Sequence, residues 1–198
     1  MNTVEIQGIS RSAFLVRGAL AAGAAYGATA VGPWVARSVA QDGGGDVEIL
    51  NFALTLEYLE ADFYDKASKL SLSKDYKGLA SDFGDDEAAH VKALKETIEQ
   101  LGGKPAAMPA FTFPMKNEKD FVKLAVTLED TGVSAYNGAA PLITSKEVLA
   151  AAGSIVQVEA RHAAALRFRS GRDASEGPFD MPLEMAAVLG AVKPFVKA

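Results

Sequence analysis

Apolar residues recur at intervals of three and four along four long stretches of the chain, the spacing that lines one face of an α-helix. Over 46–70 these are Ile49, Leu50, Ala53, Leu56, Ala61 and the pair Phe63-Tyr64, with no proline or glycine between them. Over 77–101 they are Leu79, Phe83, Val91, Leu94 and Ile98, followed by Gly102-Gly103 as a helix stop. The same period resumes over 117–140 and 145–170, with Pro141 between the two and Ser145 and Glu147 placed as an N-cap and a first-turn acid. The alternation expected of strands is nearly absent. After a polar stretch, 182–196 offers one shorter apolar helix.

This pattern predicts an all-α fold made of two helical hairpins. The segment joining them, 104–116, contains Pro105, Pro109 and Pro114, which no continuing helix tolerates. Extended, a linker of about fifteen residues reaches ~50 Å, whereas a helix of about 25 residues is ~38 Å long. The linker can therefore run the length of a bundle, which allows an up-down-down-up arrangement with one long crossover.

The two hairpins also repeat each other at a constant offset of 72 positions. Ala53, Thr55, Leu56, Glu57, Tyr64 and Ala67 fall on Ala125, Thr127, Leu128, Glu129, Tyr136 and Ala139. At the same offset Glu87, Ala88, His90, Ala93 and Leu94 fall on Glu159, Ala160, His162, Ala165 and Leu166. A duplicated helix pair explains the correspondence, and its acids and histidines are part of what was duplicated.

A single glutamate on a helix is ordinarily a solvated surface charge. Here Glu57 and Glu129 sit inside apolar runs, where an unpaired charge is costly. Glu-x-x-His occurs twice, at Glu87/His90 and Glu159/His162, and this spacing puts both side chains on one helix face a turn apart. Four inward carboxylates would repel one another unless cations neutralised them, and metal-free they are expected to be pushed towards protonation. Hard oxygen ligands with two imidazoles suit iron first and manganese second, and four carboxylates largely cancel two divalent charges.

On these residues the sequence resembles the ferritin-like superfamily, in the form found in exported bacterial proteins. Its doubled Glu-x-x-His is closest to the bacterioferritin and rubrerythrin ligand pattern. The resemblance covers about 46–170 and implies a four-helix bundle, with the short apolar helix added at the C-terminus. It implies two metal ions held by Glu57, Glu87, His90, Glu129, Glu159 and His162. Glu87 and Glu159 would be bridging carboxylates, and Glu57 and Glu129 would each cap one metal. Rubrerythrin's cysteine-rich module is missing, and its extra helix-three carboxylate falls here on Gly132. Glu60 holds the matching place on the first helix, either as a surface charge or as a labile extra ligand. Tyr64 and Tyr136 read first as core packing, with bonding to ligands or electron relay as the alternatives.

Composition narrows the chemistry further. The chain has 198 residues, 49% of them hydrophobic, enough to bury a core. It has no cysteine, which excludes disulfides, zinc ribbons, thiolate-held iron–sulfur clusters and thiol nucleophiles. Residues 1–40 hold three arginines and one acid (+2), leaving 17 bases and 24 acids (−7) in 41–198. So acidic a body has no electrostatic footprint for nucleic acid.

The N-terminus reads as an export signal. Arg11 and Arg17 precede an uncharged run over 18–36, and Ser38-Val39-Ala40 has the small-x-small form of a cleavage site. Ser10-Arg11-Ser12 to Leu15 resembles the twin-arginine export motif, with Ser12 in place of the second arginine. The expected organisation is a cleaved signal over 1–40 and a ferritin-like domain over 41–198, periplasmic, extracellular or in the cell envelope. Membrane contact would come only through an uncleaved N-terminal segment, and oligomerisation is left open. Three functions compete: a redox enzyme acting on Fe(II), oxygen or peroxide (or a manganese-catalase-like one), a metal-binding or storage protein, and an envelope stress scaffold.

Overall fold

The structure, a computed structural model, describes residues 45–175 and 177–197. The expected export segment lies outside the described residues. Among the described residues five α-helices follow in order: α1 (Asp46–Ala67), α2 (Lys74–Gln100), α3 (Glu118–Ala139), α4 (Lys146–Arg169) and α5 (Met185–Val192). Short 3-10 turns follow α3 at Ala140–Leu142 and α5 at Lys193–Phe195.

The helix ends lie where the chain's capping chemistry puts them. Asn117 caps α3 by accepting the Asp120 N–H at 3.0 Å, while Asp120 accepts the Lys116 N–H at 3.0 Å. Ser145 caps α4 as expected, its Oγ accepting from Val148 N at 3.2 Å. Helix α2 ends where Gly102 adopts φ 76°, a left-handed conformation that lets Gly103 N donate to Ile98 O at 2.9 Å. The turn of the first hairpin lies three residues earlier than the periodicity suggests, because α1 stops at Ala67 rather than 70 and α2 begins at Lys74 rather than 77.

Contacts between helix ends fix the topology. Asp46 at the start of α1 accepts from the N–H groups of Thr144 and Ser145, at 2.7 and 2.8 Å, just beyond the end of α3. Glu118 at the start of α3 accepts from Ser73 N, beyond the end of α1, so these two helices are antiparallel. Arg169 and Asp75 pair the end of α4 with the start of α2. The bundle is therefore up-down-down-up, and the chain must cross its full length between α2 and α3. It does so along α1. Asn51 bonds Lys104 O and Ala106 N, Tyr58 donates to Ala106 O at 3.3 Å, and Lys66 donates to Phe111 O at 3.0 Å. Three prolines suit this path, because an extended segment bonded through side chains needs few N–H donors.

The C-terminal helix is shorter than expected. Leu183 is bonded to Ser134 O of α3 at 2.9 Å, which holds the segment extended until Glu184. Val188, Leu189 and Val192 are then buried in the core. The tail returns to the crossover, with Thr112 N donating to Phe195 O at 2.8 Å and Lys197 N to Ala110 O at 2.9 Å. Gly138 makes the docking of this segment on α3 feasible, since a Cβ there would lie 1.8 Å from Leu183 O. Gly138→Ala is expected to destabilise the protein by about 2 kcal/mol and lower Tm by ~5 °C, measured by thermal unfolding.

Around the bundle's midpoint the core changes character. Towards the α1 C-terminus it is aromatic: Phe63 stacks on Phe121 with centroids 5.6 Å apart, edged by Phe113 and Tyr64. Towards the α1 N-terminus it is mainly aliphatic, with Ile49, Leu50, Ala53, Leu56 and Ala135 joined by Phe52 around a small apolar hollow. Between these two ends lies a polar layer.

Candidate metal centre

Each of the four long helices contributes to that layer. Helix α1 brings Glu57, α2 brings Glu87 and His90, α3 brings Glu129, and α4 brings Glu159 and His162. The four glutamates are fully buried, and the two histidines are nearly so. All six residues that the repeat singled out converge. They form two overlapping groups, Glu57/Glu87/His90/Glu159 and Glu87/Glu129/Glu159/His162, whose ligand atoms lie within 4.8 Å of one another.

Glu87 and Glu159 are common to both groups, which is the arrangement two bridging carboxylates need. His90 Nδ1 lies 2.9 Å from Glu87, 3.2 Å from Glu57 and 3.2 Å from Glu159. His162 Nδ1 lies 3.1 Å from Glu87 and 3.4 Å from Glu129. Even so, Glu87 Oε1, Glu129 Oε2, both oxygens of Glu159 and His162 Nδ1 have no hydrogen-bond partner among the described residues. Buried polar atoms are rarely left so. Carboxylate and imidazole atoms crowded into one buried interior, with no closer pairing than the two imidazole nitrogens give them, suit cations.

The electrostatics tell the same story. Burial pushes Glu57 up to about 7, and lifts Glu129 above the ordinary carboxylate range and Glu159 well above it. Glu87 departs from the expected pattern. Burial pushes it up too, but His162, His90 and Glu57 facing it outweigh that and hold it down to about 2. Burial disfavours charge on the histidines, yet the carboxylates around them raise His90 to about 12 and His162 to about 10. Without metal, the two imidazolium groups would supply the positive charge that the carboxylates need.

Four further residues complete the layer. Tyr64 donates to Glu129, and Tyr136 donates to Glu57 at 2.5 Å. Each tyrosine therefore orients a buried glutamate of the other hairpin. The packing reading of these tyrosines is incomplete, because their rings pack in the core while their hydroxyls tie the hairpins together. Glu60 is not a surface charge; it is 2% exposed, and burial beside Glu159 and Glu129 raises it well above the ordinary range. Its oxygen lies 3.3 Å from where a Cβ on Gly132 would sit, so Gly132 leaves the room that this fifth carboxylate occupies. The fourth is Asp86, whose Oδ2 lies 3.2 Å from His162 Nε2 and which the sequence reading passed over.

Residues 45–172 match the family model of the ferritin-like domain, well over half of the chain. The chain belongs to the ferritin-like domain family. Solved structures agree on the fold. A conserved hypothetical protein of Mycobacterium tuberculosis aligns with a TM-score of 0.59 at 20% identity, over 65% of this chain and 99% of that one. Described as ferritin-like, diiron-carboxylate proteins, a structure from Bacillus anthracis aligns with a TM-score of 0.56 at 20% identity, over 69% and 96%. A two-domain protein of Anabaena variabilis, with DJ-1/ThiJ/PfpI-like and ferritin-like domains, aligns with a TM-score of 0.56 at 18% identity. That match covers 83% of this chain and 51% of the longer protein. No curated protein matches. Membership in the ferritin-like domain family makes a di-metal carboxylate protein the general reading of this chain, and the polar layer supplies residues able to hold the ions.

Proposed function

We propose that this ferritin-like protein is an exported di-metal, first of all di-iron, redox protein that oxidises Fe(II) with oxygen or peroxide. The observation that carries the reading is the convergence of four buried glutamates and two imidazoles into two overlapping ligand groups. Glu57, Glu87, His90 and Glu159 would hold one ion, and Glu87, Glu129, Glu159 and His162 the other. When bound, an adjacent iron pair supplies two one-electron couples, enough to reduce one peroxide to water with two protons taken up.

The chain's own residues set the conditions for that chemistry. Glu87 and Glu159, common to both groups, would hold the two ions adjacent, the arrangement a two-electron reduction of one oxidant molecule needs. Tyr64 and Tyr136 keep Glu129 and Glu57 from swinging out of place. The aromatic and aliphatic ends close the layer above and below, which excludes bulk water from the interior. Glu60 adds a carboxylate beyond the four that two divalent ions balance, and so favours a higher total charge on the pair. The export reading rests on the N-terminal pattern. Among the described residues no helix is long and apolar enough to cross a membrane.

The test is elemental analysis of the purified protein, followed by anaerobic Fe(II) loading and exposure to oxygen or peroxide. Two ions per chain and consumption of oxidant with Fe(II) oxidation are expected. Two bound ions that never consume oxygen or peroxide would replace this reading with a binding or storage protein. Peroxide disproportionation by a manganese-loaded form would point instead to a catalase-like activity.

A further inference from the structure

The duplication that builds the centre is broken beside it. Asp86, one residue before Glu87, meets His162 Nε2 at 3.2 Å, while His162 Nδ1 faces the carboxylates. Seventy-two positions on, one residue before Glu159, stands Val158, which has no side-chain oxygen to offer His90. Phe83 stacks on the His162 ring with centroids 3.8 Å apart and planes inclined by 19°. Its counterpart is Ile155, which cannot stack. Among the described residues only carboxylates on Nδ1 bond the His90 ring, and its side chain keeps 11% exposure against 4% for His162.

These differences matter because a ligating imidazole must present one nitrogen without its proton in a fixed direction. A carboxylate on the outer nitrogen holds the proton there, fixes the ring and makes the inner nitrogen more basic. His162 has that support, with a ring stacked on its face as well. His90 must find its orientation from the ligand side alone. Asp86 is itself 55% exposed, so an ordinary surface ion pair there would be worth little; its partner, however, is buried.

We infer that the two metal positions are unequal: the His162 position takes its ion first and more tightly, and Asp86 is the positioning residue responsible. The inference rests on the two-metal reading above. Removal of such an outer partner ordinarily weakens metal affinity by about 10–100-fold, and the two positions should differ by a factor of that order.

Co(II) titration of the metal-free chain, followed by calorimetry and by visible absorption, tests this. Wild type should bind in two steps about 10–100-fold apart. Asp86→Ala should weaken the first step by that factor and leave the second in place. Val158→Asp, which restores the repeat, should tighten the second step. His90→Ala should keep the tight step, and His162→Ala should lose it. Two ions of equal affinity in wild type would overturn the inference while leaving the two-metal reading intact. An Asp86→Ala variant that moves neither step, or both alike, would do the same. No Co(II) binding at all would overturn the two-metal reading, and the inference with it.

Discussion

Replacing Glu87 or Glu159 by alanine is expected to leave the chain unable to hold a metal pair and to reduce Fe(II) oxidation by about 100-fold or more, beyond the effect of losing an outer-shell partner. Both residues belong to both ligand groups, so either loss removes an oxygen from each position. Glu57→Ala or Glu129→Ala removes a ligand from one position only, and should leave metal bound with reduced turnover. The ranking follows from shared against unshared ligands. Metal stoichiometry beside oxidant consumption, for wild type and the four variants, measures it. A second substitution separates loss of metal from loss of fold. Burial lifts Glu159 well above the ordinary carboxylate range, which favours its protonated form when metal is absent. Glu159→Gln copies that neutral form and should leave the metal-free Tm unchanged or higher at pH 7, while metal binding is still impaired. An equal ranking of all four alanine variants would count against the bridging roles.

How much of this centre was legible in the sequence follows from what a repeat can reveal. The offset of 72 finds residues that are duplicated, and the six at the centre all are. The same comparison is blind where the copies differ. Asp86 has Val158 as its counterpart, and Glu60 has Gly132, so neither stood out as one of a pair. Yet Asp86 meets His162 and Glu60 lies beside Glu159 and Glu129, and both make the two halves of the layer unlike. The tyrosines were found by the repeat but assigned the wrong emphasis. Tyr64 lies seven residues past Glu57 on the same helix, which suggests a partner two turns away. Because α1 and α3 are antiparallel, its hydroxyl reaches Glu129 on the other hairpin instead. Spacing along one helix cannot show a contact created by the crossing of two. The topology was open to the sequence for a different reason: a proline-rich linker long enough to span the bundle allowed the crossover, and the contacts between helix ends then fix it. The C-terminal helix was overestimated because Leu183 is apolar yet held extended by a bond to α3, a tertiary effect that periodicity does not carry.

Metal removal is expected to make stability fall as pH rises, and the direction follows from the buried groups. A carboxyl whose pKa is raised on folding keeps a proton that the unfolded chain has already released. Glu57 is raised from 4.5 to about 7, so it weakens the metal-free fold progressively across that interval. Glu60, Glu129 and Glu159 act in the same sense. The histidines add to it: each is charged in the native state, stabilises fully below 6.5, and loses that contribution as pH rises towards about 10 for His162 and about 12 for His90. Glu87, held at about 2, favours the native state above 4.5 and gives no slope between pH 5.5 and 8. Between pH 5.5 and 7, Glu57 alone accounts for about 2 kcal/mol, or a Tm lower by ~5 °C. Bound metal replaces those protons, so the loaded protein should show no such fall, and the gap in Tm between loaded and metal-free protein should widen with pH. Calorimetric scans of both forms at pH 5.5, 7 and 8 decide it. A metal-free Tm that stays level or rises over that range would mean that the carboxylates are not held protonated in the fold, and that the layer is solvated rather than closed.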